Sequence, residues 1–263
     1  MHDFDHVELC MGTGFRFQGK SPLDYADTDH AMQIACAIMH EADTIFSLYK
    51  PESPLSQLAA GKTSVAECPS VVSEVWDACE AWEKKTDGWF SPFTPEHTFD
   101  PSGLVKTWAA RRAAESLIEA GITDFSLNAG GDVLISDAAT GEIDWRIGLS
   151  KPVSIASTEA GAITVLNLKG TEYRAVATSG SAERGAHIWN PKSPGRQPAN
   201  ELVQVSVIAR DLVEADVWAT AAFAEGLASM ARLDREPHLE ALAILADGQM
   251  AATPGLAALI AKD

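Results

Sequence analysis

The period of the hydrophobic pattern changes partway along the chain, and this change constrains the fold more than any other feature. Up to about Gly121, apolar residues recur every three or four positions, which is typical of amphipathic helices. Beyond it, short apolar runs are separated by Gly, Asp and Asn, which is typical of strands. Helices followed by strands predict an α+β fold rather than an alternating βαβ fold.

The predicted elements can be placed on the sequence. Helices are expected around residues 31–45, 72–82, 105–117 and 212–227. Strands are expected at residues 124–127, 133–136, 145–149, 162–168, 174–178, 202–209 and 242–245. Asp27, Thr28 and Asp29 are candidate caps of the first helix, and Asp211 with Glu214 has capping-box spacing. Because no repeat or low-complexity linker interrupts the 263 residues, we predict a single domain over residues 1–263.

Charge excludes some partners. The chain has 37 Asp and Glu against 20 Lys and Arg, a formal net charge of −17, which disfavours a broad nucleic-acid or anionic-membrane surface. No run approaches the roughly 18 apolar residues of a membrane span. The first residues, MHDFDHVELCMGTG, do not have the pattern of a secretory signal, so we expect a cytoplasmic protein.

The four cysteines are widely spaced. Cys10, Cys36, Cys68 and Cys79 form no CxxC pair, which excludes a zinc ribbon and a thioredoxin-like pair. A dense disulfide framework is also not expected.

Asp216 and Thr220 form a candidate metal site. They are four residues apart in LVEADVWATAAF, so on a helix they project from one face. A carboxylate and a hydroxyl together suit Mg²⁺, which prefers oxygen ligands. The pair alone is a weak pattern, and a solvent-facing or capping Asp216 is an alternative interpretation.

Two further segments contain candidate anion-binding groups. In ATSGSAERGAHIWNPKS, small hydroxyl residues beside glycine precede His187, a candidate general base or a structural loop histidine. In DPSGLVKTWAA, Asp100, Gly103 and Lys106 lie where a loop enters a helix, and amides and a lysine can meet phosphate there. A solvated lysine is the alternative.

Seven segments in one order give a family resemblance: MGTGFRF, FSLYKPESPLSQL, DGWFSPF, DPSGLVKTWAA, NAGGD, TSGSAERGAHIWNPKSPG and EADVWAT. Together they resemble the ApbE-like FAD:protein FMN transferases from Met11 to about Gly226 and again in the last strand. The resemblance implies an α+β flavin-transferase fold with mixed, largely antiparallel sheets and packed helices. It also implies that FAD is bound with Mg²⁺, that FMN passes to a threonine hydroxyl of an acceptor protein, and that AMP is released.

The resemblance assigns roles to individual residues. It places Met11, Tyr49, Trp89, Phe90, Ser91, Asp100, Lys106 and Ile188 at the FAD. It places Asp216, Thr220 and the Gly103 carbonyl on the metal, and it makes His187 the base.

Some positions depart from the family pattern. Ser91 replaces an Asp, Phe93 replaces a Thr, Thr107 replaces a Gly, and Arg111 occupies a common Asp position. Two other functions stay open. One is an FAD pyrophosphatase that gives FMN and AMP, and the other is a non-catalytic protein that binds FAD for assembly.

Overall fold

The computed structural model describes residues 1–136, 143–152, 161–180, 188–193 and 201–262. The chain divides into two compact units, Met1–Gly130 and Gly131–Asp263, which we call unit 1 and unit 2. That residues 1–263 act as one domain stays a prediction.

Unit 1 combines an antiparallel set of three strands with four helices. The strands are β1 (His2–Cys10), β2 (Thr13–Ser21) and β3 (Asp124–Ala129), and the helices are α1 (Tyr25–Phe46), α2 (Pro54–Ala59), α3 (Ser70–Lys85) and α4 (Ser102–Glu119). β2 pairs with β1 on one side and with β3 on the other. Helices α1 and α4 pack together, with Phe46 edge-on to Trp108 at 5.8 Å between ring centroids.

Helix α1 begins earlier than predicted. Its cap is Asp24, whose carboxylate accepts a hydrogen bond from the Asp27 amide at 2.9 Å. The predicted caps Asp27, Thr28 and Asp29 lie inside the helix. Thr28 lies one turn after the cap Asp24, and its hydroxyl donates to the Asp24 carbonyl at 2.7 Å. Thr28 is also buried, so the covered face of the helix starts there.

The hydrophobic pattern predicts neither β1 nor β2. In β1 the apolar side chains of Val7 and Leu9 point outward, 58% and 76% exposed, while His6 and Glu8 lie on the covered face. Hydrophobic alternation therefore marks the wrong face of this strand. β2 contains two buried phenylalanines in nine residues, too few to establish a period.

Unit 2 is dominated by antiparallel strands. Its elements are β4 (Asp132–Ile135), β5 (Arg146–Ser150), β6 (Ala162–Asn167), β7 (Ala175–Gly180), β8 (Leu202–Ala209), α5 (Leu212–Glu225), α6 (Ser229–Leu233), β9 (Glu240–Leu245) and β10 (Met250–Ala252). The strand order is β4-β7-β8-β9-β10, and β5 and β6 form a separate ribbon. The seven predicted strands are found within two residues at each end, which confirms the α+β prediction.

Helix α5 is the central helix of unit 2. It packs on β7 and β8 and is buried on nearly all sides, with Trp218 only 1% exposed. A core of Ile, Leu and Val side chains from the strands and the final 3₁₀ turn, Pro254–Leu259, completes the unit. Within the described part of the chain, no helix has both the length and the apolar character that crossing a membrane requires.

Candidate functional site

The cap of α5 determines where Asp216 lies. Asp211 accepts hydrogen bonds from the amides of Val213 and Glu214 at 2.9 and 3.0 Å, so the helix begins before Asp216 and the carboxylate lies in its second turn. Asp216 is 6% exposed, whereas Thr220, one turn later, is half-buried. The capping and solvent-facing interpretations of Asp216 are therefore wrong, because Asp211 is the cap and Asp216 is buried.

Strand β7 brings a third oxygen to this helix face. The Ser179 hydroxyl lies 3.4 Å from the Thr220 hydroxyl, and Ser179 is itself buried. Its neighbour Thr178 makes two hydrogen bonds. The Thr178 amide donates to the Asp132 carboxylate at 2.9 Å, and the Thr178 hydroxyl lies 2.8 Å from that of Ser206. We call Asp216, Thr220 and Ser179 the oxygen cluster. A buried carboxylate beside two hydroxyls is a donor set of the kind that Mg²⁺ accepts.

The predicted base lies in a neighbouring part of the chain. His187 is outside the described residues, so its role stays a prediction. Ile188, which follows it, is buried. Two residues further on, the Asn190 side chain accepts a hydrogen bond from the Lys192 amide at 2.9 Å.

In unit 1, the end of α3 positions the segment Trp89 to Ser91. Asp87 and Gly88 both adopt positive φ, which turns the chain sharply after the helix. The buried Thr86 hydroxyl donates to the Trp82 carbonyl at 2.8 Å and accepts from the Phe90 amide at 3.1 Å. One threonine thus ties the helix end to the predicted flavin segment. The sequence analysis did not single out Thr86, although a threonine between a lysine pair and Asp-Gly is a signal of a helix end.

An aromatic cluster holds the following loop. Phe93 and Phe99 form an isolated antiparallel bridge, and Trp76 packs on both, at 5.6 Å from Phe93 and 4.4 Å from Phe99 between ring centroids. As a result the Asp100 amide donates to the Pro92 carbonyl at 2.8 Å. The loop therefore brings Asp100 back beside the Trp89 to Ser91 segment.

The start of α4 completes this arrangement. The Asp100 carboxylate accepts a hydrogen bond from the Ser102 amide at 3.0 Å, which stabilises the first turn. Gly103 packs against buried Phe90, and a Cβ built on Gly103 would lie 3.2 Å from the Phe90 ring. Lys106 follows one turn later on α4. Phe90 and Gly103 are thus in contact, and Asp100 lies at the start of the same helix. That this junction binds a ligand stays a prediction.

Met11 and Tyr49 lie in two exposed turns of unit 1. Met11 and Gly12 form the two-residue turn between β1 and β2, both with positive φ. Positive φ is uncommon for a residue with a side chain. Tyr49 follows α1 and is 98% exposed, so its ring packs against no part of the unit.

The departures from the family pattern have local structural roles. Phe93 belongs to the aromatic cluster just described, and the Ser91 hydroxyl accepts from the Phe93 amide at 3.4 Å. Thr107 is fully buried and donates to the Leu104 carbonyl at 3.2 Å. Arg111 lies 3.6 Å from Glu115 along α4. Aromatic packing and helix contacts thus occupy positions where the family has smaller or acidic residues.

Solved structures with the same architecture establish the fold class. The ApbE protein of Thermotoga maritima superimposes with a TM-score of 0.83 at 19% identity, covering 99% of this chain and 100% of that one. The flavin transferase ApbE from Vibrio cholerae gives a TM-score of 0.77 at 19% identity over 98% and 99% of the two chains. At this identity the likeness concerns the fold.

Sequence comparison then identifies the family. The ApbE family model matches residues 93–243, more than half of the chain, and the chain belongs to the ApbE family. An FAD:protein FMN transferase of Klebsiella pneumoniae is 31% identical over 141 residues, covering 51% of this chain and 40% of that protein. One of Escherichia coli K12 is 30% identical over 135 residues, covering 48% and 36%. The matched part therefore spans about two fifths of the length of these relatives.

Proposed function

We propose that this chain transfers FMN from FAD to a threonine hydroxyl of an acceptor protein and releases AMP. The observation that carries the proposal is the oxygen cluster on α5, in a chain of the ApbE family whose relatives are named FAD:protein FMN transferases. A strongly acidic chain repels a diphosphate at long range, so its binding requires a local arrangement of this kind.

The oxygen cluster fits Mg²⁺ by its chemistry. Asp216 would supply the one charged ligand, and Thr220 would supply a neutral oxygen from the same helix face. The family resemblance adds the Gly103 carbonyl, which stays a prediction. When bound, Mg²⁺ offsets the negative charge of a diphosphate. Rigid burial of α5 keeps the Asp216 carboxylate in place before any ligand arrives.

Unit 1 offers the groups that we assign to FAD. The half-buried Trp89 ring, next to the tied Phe90, and the exposed Tyr49 ring present aromatic surfaces suited to a planar flavin. Lys106, one turn into α4, would supply positive charge to a phosphate, and the helix start adds the favourable end of its dipole. Met11 and Ile188 are assigned to the FAD by the resemblance alone.

The reaction requires a base. The acceptor threonine oxygen forms a bond to the FMN phosphorus while the bond to the AMP phosphate breaks, and the hydroxyl proton moves to His187. A positioned base contributes about 10²- to 10⁴-fold in such a step. We therefore expect His187→Ala to slow transfer far more than it weakens FAD binding, and equal losses in both would remove this assignment.

A direct assay tests the function. The full chain is incubated with FAD, Mg²⁺ and the natural acceptor of the Klebsiella pneumoniae relative, and covalent FMN and free AMP are measured together. Matched controls are the acceptor with its threonine replaced by valine, and the same reaction with a chelator. Covalent FMN and AMP in equal amounts, lost in both controls, support the proposal.

The other outcomes separate the alternatives. AMP and free FMN with an unmodified acceptor would indicate an FAD pyrophosphatase. Intact FAD that co-purifies with the chain, without either product, would indicate a binding protein. Either result would overturn the transferase proposal. Cytoplasmic location stays a prediction, which fractionation of the producing cells can check.

A further inference from the structure

A second cluster of ligand-type side chains lies in unit 1, between β1 and α1. Alternation along β1 places His6, Glu8 and Cys10 on its covered face. Helical spacing places Cys36 and His40 one turn apart on α1. These five residues, which we call the thiol-imidazole cluster, belong to none of the groups assigned to FAD or Mg²⁺.

One part of the cluster converges closely. The Cys36 sulfur lies 3.4 Å from His6 Nε2, and the same nitrogen lies 3.3 Å from the Glu8 carboxylate. One ligand atom from each of His6, Glu8 and Cys36 can be chosen so that all three lie within 4.8 Å of one another. Three ligand atoms at this separation can contact one ion with only small side-chain movements.

The other part supplies further ligands and orients them. The Cys10 sulfur lies 3.6 Å from His40 Nδ1, and His40 Nε2 lies 2.9 Å from the second Glu8 oxygen. Glu8 therefore bridges the two histidines. A carboxylate that holds the far nitrogen of a histidine is the usual support of a metal-bound imidazole.

The cluster has a buried side, formed by the cysteines, and a solvent-accessible side, formed by the histidines. Cys10 and Cys36 are buried, whereas the His6 and His40 side chains are 39% and 51% exposed. An ion can therefore approach past the imidazoles and meet the thiols in a less polar interior. Packing alone does not explain the choice of residues, because β1 turns Val7 and Leu9 outward and His6, Glu8 and Cys10 inward.

The donor chemistry selects the ion. Thiolate, imidazole and carboxylate are the ligands of Zn²⁺, whereas Mg²⁺ requires oxygen ligands. We propose that His6, Glu8 and Cys36 form a zinc site, with Cys10 and His40 as the neighbouring groups that complete and orient it. The proposal is independent of the flavin chemistry, since every group in it belongs to β1 or α1.

Zinc titration tests the site. The chain is purified with a reductant, stripped with a chelator, and titrated with Zn²⁺ against a chromophoric competitor, with thermal unfolding measured in parallel. We expect one Zn²⁺ per chain and a higher unfolding temperature, because an ion that binds only the folded state stabilises it. Mg²⁺ in place of Zn²⁺ should give neither effect.

Variants locate the ligands. Cys36→Ser and His6→Ala should each weaken Zn²⁺ binding by more than about 100-fold, beyond the loss typical of an outer partner. His40→Gln, on the exposed side of the cluster, should weaken it by about 10- to 100-fold and stays informative if a buried variant fails to fold. Cys68→Ser is the matched control, since Cys68 is a half-buried cysteine outside the cluster, and it should bind as the wild type does.

Cobalt substitution gives a spectroscopic check. Co²⁺ bound to the wild-type chain should show a thiolate-to-metal charge-transfer band that is lost in Cys36→Ser. Absence of stoichiometric Zn²⁺ binding, binding unchanged in both Cys36→Ser and His6→Ala, or a cobalt spectrum without the band would overturn the proposal. FMN transfer by Cys36→Ser should equal that of the wild type, so failure of the zinc proposal and failure of the transferase proposal are distinguishable.

Discussion

The oxygen cluster of unit 2 and the thiol-imidazole cluster of unit 1 differ in how deeply their side chains are buried and in what holds them in place. In unit 2, Asp216 lies on a helix that is buried on nearly all sides, one turn from Thr220, whose hydroxyl lies 3.4 Å from that of Ser179. In unit 1, the ligand-type groups lie on an amphipathic helix and a strand, and they contact one another. A buried helix fixes one carboxylate rigidly, whereas a half-exposed interface allows several groups to hold each other. This difference predicts that the two clusters respond to different ions and to different substitutions.

The largest expected effect is on transfer in Asp216→Asn. This substitution keeps the size of the side chain but removes its charge, so we expect a loss of at least about 10³-fold in kcat, since metal-based charge stabilisation is worth several kcal/mol. The kcat is measured at saturating FAD and Mg²⁺, with the unfolding temperature as a check of the fold. Glu214→Gln, two residues earlier on α5, is the control and should retain activity. A kcat of Asp216→Asn within about tenfold of the wild-type value would contradict the role of Asp216 as a metal ligand. The Zn²⁺ affinity of this variant should equal that of the wild type.

The burial of the two helices gives the next effect. Trp218→Ala on α5 should lower the free energy of unfolding by about 3 to 5 kcal/mol, because it removes a fully buried aromatic ring. Ile34→Ala on α1, where the side chain is 46% exposed, should change it by no more than about 0.5 kcal/mol. Urea unfolding of both variants measures the contrast. Equal losses would mean that α5 is no better buried than the outer face of α1.

The helix caps give a smaller effect. Asp211 accepts two amide hydrogen bonds and Asp24 accepts one. We expect Asp211→Ala to cost about 1 to 2 kcal/mol and Asp24→Ala about 0.5 to 1 kcal/mol of unfolding free energy. The corresponding asparagine variants retain a capping oxygen and serve as controls. A larger loss for Asp24→Ala would contradict the order that the hydrogen bonds predict.

Alkaline pH gives the smallest effect. Burial raises the pKa of Cys79 from its ordinary value of 9.0 to about 12. The folded state therefore favours the neutral thiol, and its contribution to stability is complete below pH 9 and is lost as the pH rises toward 12. For this thiol alone the loss should stay below about 1 kcal/mol at about pH 9.5. The free energy of unfolding, measured in urea at about pH 8 and about pH 9.5, should change less in Cys79→Ala than in the wild type and in Cys68→Ala. An equal change in all three proteins would contradict this effect of the Cys79 thiol.

Unit 2 was the easier half to predict because its pattern is local. Except for the three-residue β10, which was not predicted, each strand there has a short apolar run between turn residues, and Asp211 with Glu214 marks the start of α5. Helical spacing alone places Asp216 and Thr220 on one face. Ser179 could be named as a hydroxyl at a strand end, but its 3.4 Å contact with Thr220 depends on how β7 packs on α5, and spacing along the chain does not contain that information.

Unit 1 shows why the rest could not be predicted. Cys10 and His40 are 30 positions apart, as are His6 and Cys36, and neither pair forms a local motif. Both contacts follow only from the packing of β1 on α1. Apart from Phe4 and Cys10, the covered face of β1 is polar, so the hydrophobic pattern gave no strand there. The family resemblance assigned Asp100 and Gly103, but the aromatic loop that brings them beside Phe90 uses Phe93, a position where the family pattern differs.

The inward polar row of β1 also bears on solubility. Among the described strands, β1 pairs only with β2, so its other side presents unsatisfied backbone groups that a second chain could extend. Charged residues that point inward on an outermost strand are one of the ways in which natural proteins discourage such edge-to-edge growth. We therefore expect Glu8 to disfavour growth through the first strand, and an apolar replacement at Glu8 to increase aggregation.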